Sequence, residues 1–138
     1  MKQTLLAFAV VLSGAGIGFA DPADDDIRAT ITGQIEAFRA GDMAEAFDFA
    51  SEGIRSLFGS SDKFGAMVER GYAMVIAPSE LRYGDLREEP GGLVQRVLVR
   101  DAAGVWYALD YLMVEEDGDW RIGGVAQRAV EAAADQQA

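Results

Sequence analysis

The sequence predicts an α+β domain: three N-terminal helices packed on a curved four-stranded antiparallel sheet. Two observations carry this. Apolar residues recur at helical spacing from Ile27 to Val75, and the period becomes strand-like after Pro78. The second half is then cut into strand-length pieces by turn signals at Pro90-Gly91-Gly92, at Asp101 to Gly104 and at Asp117-Gly118. No internal repeat and no linker divides the chain.

Residues 1–20 read as a cleavable secretory signal. Lys2 gives a short positive start, an uncharged apolar run spans Leu5 to Ile17, and Gly18-Phe19-Ala20 places small residues at the cleavage positions before Asp21. The run is shorter than the roughly 20 apolar residues of a membrane span and is interrupted by Gly14 and Gly16. The expected product is therefore a periplasmic or secreted domain cut after Ala20, with no stable membrane anchor. Without a cysteine at the cut, a lipid anchor has no attachment point.

The mature domain, residues 21–128, is followed by an Ala-rich acidic tail, 129–138, expected to fray. Ile27, Ile31, Ile35 and Phe38 form the stripe of the first helix, which Gly41 stops. Asp42 with Glu45 is a capping-box pattern that opens a short second helix carrying Ala46, Phe47 and Phe49. Ile54 to Phe58 reads as a further helical turn closed by Gly59. Ser60 or Ser61 then caps a third helix, on which Phe64, Met67, Val68, Tyr72 and Val75 share a face. Strands are expected at 80–88, bent at Gly84, then at 93–100, 105–115 and 119–128.

Composition excludes more than it identifies. The chain has no His and no Cys, so no Ser-His-Asp or Cys-His arrangement and no usual zinc site can form. No disulfide is available, and no phosphate-cradling loop is present, so neither metal nor cofactor is expected. With 12 basic against 23 acidic residues the net charge is −11. That field repels nucleic acid and anionic lipid.

The order of elements, with Gln34, Phe38, Gly41-Asp42, Ala46-Phe47, Phe49-Ala50-Ser51, Phe58, Phe64, Met67-Val68, Tyr72, Gly104-x-Trp106 and Asp117-Gly118-x-Trp120-Arg121-Ile122-x-Gly124, resembles the nuclear transport factor 2-like, or cystatin-like, superfamily. Within it, the chain is similar to an exported proteobacterial family described as domain of unknown function 4864. The resemblance implies a cone with a pocket between helices and sheet, and a sheet that commonly pairs two copies. It implies no activity, because the superfamily holds enzymes, binding modules and scaffolds alike.

Strand alternation sets Trp106, Ala108, Asp110, Leu112 and Val114 on one face of the long strand, and Val105, Tyr107, Leu109, Tyr111 and Met113 on the other. A three-residue loop at Glu116-Asp117-Gly118 would place Trp120 and Ile122 on the Trp106 face, which then becomes the interior. A two-residue turn would flip the last strand. In the first register Asp110 is a lone interior carboxylate, a candidate general base with Tyr72 as hydrogen-bond donor. Otherwise Asp110 pairs with Arg96 or Gln95, or caps backbone near Gly124. Phe38, Phe64, Val68, Trp106, Leu112 and Trp120 are the candidates for the pocket lining. Tyr107, Leu109, Tyr111 and Met113 would form an apolar outer face, the candidate interface of a homodimer.

With one candidate catalytic residue rather than a set, the sequence favours a non-catalytic module. Such a module would bind a small apolar or amphipathic ligand, or a protein. The alternative is a cofactor-free isomerase or dehydratase with Asp110 as base.

Overall fold

The computed structural model describes residues 22–130, so the leader at 1–20 and the tail beyond Val130 lie outside the described residues. Helix α1 (Pro22–Arg39) begins on Pro22, whose fixed φ and missing N–H suit a first helical position. Asp24 and Asp25 sit in its first turn and Arg39 in its last, each opposing the helix dipole. Ile27, Ile31, Ile35 and Phe38 are all within 2% of complete burial, as the spacing predicts.

Helix α2 (Met43–Asp48) is capped by Asp42, whose carboxylate accepts the Glu45 N–H at 3.0 Å. Helix α3 (Glu52–Phe58) is capped by Ser51 and stopped by Gly59 at φ 81°, a left-handed value that glycine adopts without strain. Helix α4 (Ser61–Gly71) is capped by Ser60. The segment read as a helical turn is thus a full helix, making four. Tyr72 and Val75 extend beyond α4: Tyr72 leaves the helical region at φ −139°, and Val75 ends a 3-10 turn, Ala73–Val75.

Strands β1 (Glu80–Glu89), β2 (Gly92–Arg100), β3 (Trp106–Glu116) and β4 (Asp119–Arg128) form one antiparallel sheet in chain order. All helices lie on one side, and the main core joins Ile27, Ile31, Ile35, Phe38, Phe64 and Val68 to Val97, Val99, Leu109, Tyr111, Met113 and Ile122. Tyr83 ties β1 to α1 by donating to the Arg28 carbonyl at 3.1 Å and by sharing a 2.7 Å hydrogen bond with Thr32.

The face assignment of β3 is therefore the reverse of the preferred expectation. Leu109, Tyr111 and Met113 are at most 1% exposed beneath the helices, and Tyr107 is half-buried against the same core. Leu109, Tyr111 and Met113 therefore belong to the interior, and the apolar outer face expected of them is not present among the described residues. The cause is one residue of turn length. Asp117 at φ 55° and Gly118 at φ 86° make a two-residue turn, the twist-matched kind in which both central residues are left-handed. Glu116 then pairs with Asp119, Glu115 with Trp120 and Met113 with Ile122. Trp120 and Ile122 so share the Met113 face, and the Trp106, Ala108, Asp110, Leu112 face turns outward.

Two irregularities shape the sheet. At Gly84-Asp85 the β1–β2 register shifts, and the fully buried Gln95 amide donates to the Gly84 and Arg96 carbonyls at 3.0 and 2.8 Å. This satisfies acceptors that the bulge removes from the ladder. Gly84 also lies under Arg96: a Cβ there would stand 3.0 Å from the Arg96 Cγ. At the other edge, the Phe49–Ser51 loop docks on β4, with Ser51 N–H donating to Ile122 O at 2.8 Å and Ile122 N–H to Phe49 O at 2.9 Å. The loop covers part of an edge that would otherwise be open to pairing.

Candidate functional site

Between the helices and the sheet lies a cavity of about 220 Å³. Phe38 enters from α1, Ile54, Leu57 and Phe58 from α3, and Phe64, Met67 and Val68 from α4; Tyr111, Ile122 and Val125 form its floor. Three rings pack around Phe64, with Phe47, Phe58 and Phe38 at centroid distances of 5.3, 5.9 and 6.0 Å. Offset and edge-on contacts of this kind fix the rings against each other, so the wall is firm. Leu57 is 73% exposed although it also lines the cavity, which puts it at the mouth.

Polar groups in the lining are few, and none is charged. Tyr72 donates its hydroxyl to the Val125 carbonyl at 3.0 Å. Gln34, 4% exposed, donates its amide N–H to the Ala46 carbonyl at 3.0 Å, and its amide oxygen accepts no hydrogen bond among the described residues. Tyr111 is 1% exposed, and its hydroxyl likewise has no hydrogen-bond partner among them. Burial, followed by the neighbouring Tyr83 and Tyr72, pushes the Tyr111 phenol far above its ordinary range. It stays neutral at physiological pH, a hydrogen-bonding group rather than an acid.

Of the sequence candidates for the lining, Phe38, Phe64, Val68 and Tyr72 are in the cavity wall. Trp106 and Leu112 are not. They stand on the outer face, where Trp106 lies beneath the Arg82 guanidinium, 5.0 Å from its ring centroid. Trp120 is on the helix side of the sheet and packs against the core but is outside the cavity wall. Gln34, Ile54, Leu57 and Tyr111 belong to the wall without having been singled out for it. Gln34 did carry a signal, as the polar residue one turn beyond Ile31 on an otherwise apolar stripe.

Asp110 is not in the cavity. It lies on the outer face, 5% exposed, directly across from Arg96 in the β2–β3 register. Arg96 bonds both carboxylate oxygens, and Arg87 and Arg128 reach the second at 3.3 and 3.0 Å. Burial alone would raise the Asp110 pKa; hydrogen bonds from Arg96 and Arg128, then the charges of Arg96 and Arg87, hold it down at about 2. A carboxylate this acidic and fully engaged is a poor proton acceptor. Both the general-base assignment and the pairing of Asp110 with Tyr72 are corrected accordingly. The other reading of Asp110, a pair with Arg96, describes what is there. Arg121 also faces outward, 3.7 Å from Asp119.

Comparison with known proteins adds the family and the fold. Among curated proteins, none matches the chain. A solved structure of an NTF-2-like protein of unknown function from Shewanella oneidensis MR-1 is similar to it, with a TM-score of 0.50 and 16% identity. The match covers 76% of this chain and 98% of that one. At that identity the likeness is one of fold, and it agrees with the helices-on-sheet cone seen here. The model of the family called domain of unknown function 4864 matches residues 20–135; this chain, an α+β cone with a neutral apolar cavity, belongs to that family.

Proposed function

We propose that this protein is a non-catalytic binding module that takes a small, uncharged, mostly apolar ligand into the cone. The observation that carries the reading is the chemistry of the cavity: an apolar wall with no acid or base, into which Gln34, Tyr72 and Tyr111 bring the polar groups. Few polar groups on an apolar wall orient a ligand without reacting with it. A cavity of about 150 Å³ accommodates benzene, so 220 Å³ suits a slightly larger molecule bearing one hydroxyl or carbonyl.

The test uses 2-naphthol and naphthalene. 2-Naphthol is expected to bind saturably, to raise the melting temperature by several degrees at saturating concentration, and to bind more tightly than naphthalene. Val68→Trp, which fills the cavity, and Leu57→Trp, which blocks its mouth from an exposed position, should both abolish the effect. Absence of saturable binding to the native protein, or equal binding to Leu57→Trp, counts against the reading.

We also propose that the domain works outside the cytoplasm, on the strength of the leader pattern. Expressed with its leader in a bacterial host, the protein should be recovered from the envelope with a mass beginning at Asp21; an uncut cytoplasmic product would refute this.

A further inference from the structure

The outer face of the sheet carries a second hollow, unrelated to the cone. Its volume is about 260 Å³, and Arg87, Arg128 and the carboxylates of Asp110 and Glu89 line it together with Val94 and Leu112. Register explains why it is there. Leu112 stands opposite Gly124 and Asp110 opposite Ala126, so directly across from these two residues β4 offers only a hydrogen and a methyl group, while Arg128 reaches the carboxylate from further along the strand. Arg87 and Arg128 flank the gap, their side chains 30% and 54% exposed.

The charges there do not close. Three guanidinium groups, Arg87, Arg96 and Arg128, share Asp110, and Glu89 takes only the Arg87 Nε at 3.1 Å. That leaves one surplus positive charge in a chain of net charge −11. A carboxylate offers about four acceptor sites, and Asp110 already receives four N–H groups, two of them from Arg96. Donors remain over. Arg87 Nη1 and Arg96 Nη1 are buried without a partner, and Arg96 as a whole side chain is 5% exposed. The terminal nitrogens of Arg128 make no hydrogen bond among the described residues. Guanidinium groups prefer to complete such a set with a planar carboxylate, which matches two of their N–H groups at once.

We propose that this hollow binds a small carboxylic acid as its monoanion, with the carboxylate on Arg87 and Arg128 and a short alkyl stem on Val94, Leu112 and Gly124. One surplus charge matches one carboxylate. The apolar floor matches a stem better than a second anionic group. Because the whole chain repels anions, affinity here comes from short-range contacts rather than from the long-range field.

The experiment follows the arginine Nε–Hε signals of the native domain by NMR during titration with sodium butyrate, at ionic strength held constant with sodium chloride. Sodium acetate and inorganic phosphate are separate arms. Butyrate should move the Arg87 and Arg128 signals saturably, acetate should bind more weakly for want of a stem, and Arg128→Gln should weaken butyrate about tenfold. Arg128 is exposed enough that this variant keeps the fold, which its unchanged backbone spectrum would verify. Shifts that fail to saturate or match those of chloride overturn the site, as does unchanged affinity in Arg128→Gln. Preference for phosphate over butyrate overturns the ligand class. Butyrate shifts confined to the cone, around Tyr111, overturn the location.

Discussion

Replacing Asp110 by Asn lowers the stability of the domain by about 3 kcal/mol at neutral pH, because removing one partner of a buried ion pair strands the other. The stranded partner is Arg96, 5% exposed, whose hydrogen bonds to an anion are all with Asp110. Arg87 and Arg128 lose a contact too, but water can reach both. The change should appear as a melting temperature lower by roughly 10 °C.

Its pH dependence gives a second reading of the same network. The folded-state pKa of Asp110 is depressed to about 2, below the roughly 3.9 of an unfolded chain. Its contribution is therefore fully present above about pH 4 and is lost as the pH falls through about 2. The gap between native protein and Asp110→Asn should hold constant from pH 7 to about 4 and narrow steadily below that. Urea denaturation at pH 7, 4 and 2.5 measures it. A native protein and variant of equal stability at pH 7 would show that the network contributes nothing to the fold. A gap that widens in acid would reverse the direction of the pKa shift.

Leu109→Ala is the other large effect, a loss of about 3 kcal/mol, whereas Leu112→Ala costs about 1 kcal/mol. The two residues lie three positions apart on β3 and occupy opposite faces. Leu109 is completely buried against the helices, so its truncation leaves a cavity that the packed core cannot collapse. Leu112 is half-buried on the outer face beside Gly124, where solvent replaces the lost methyl groups. Paired urea denaturation curves decide the matter, and the opposite ranking would put the helices on the other side of the sheet.

Much of this architecture is written in local sequence. The caps at Asp42 and Ser60, the stop at Gly41, the bend at Gly84 and the order of strands all depend on residues within a few positions of one another. So do the cavity residues Phe38, Phe64 and Val68. A helix has a single apolar stripe, and that stripe must face the sheet wherever the sheet lies.

The faces of β3 are different, since both are apolar enough to be an interior. Trp106, Leu112 and Val114 compete with Leu109, Tyr111 and Met113. What separates them is whether the Asp117-Gly118 turn spans two residues or three, and in a strand a shift of one residue exchanges the faces completely. The pairing of Asp110 with Arg96 was readable as a cross-strand neighbour. The convergence of Arg87 and Arg128 on the same carboxylate was not, because it runs across all four strands of the sheet.

The sequence alone therefore determined the α+β class, the element order, the absence of His and Cys chemistry, and the part of the cavity wall made by Phe38, Phe64 and Val68. Each of these is a matter of composition or of contacts along the chain. Tertiary structure decided which face of the sheet the helices cover. It thereby decided that Tyr111 looks into a neutral cavity while Asp110 holds an arginine cluster on the far side. The physical reason is that strand register is fixed by turn geometry and packing together, and neither is expressed in the spacing of apolar residues.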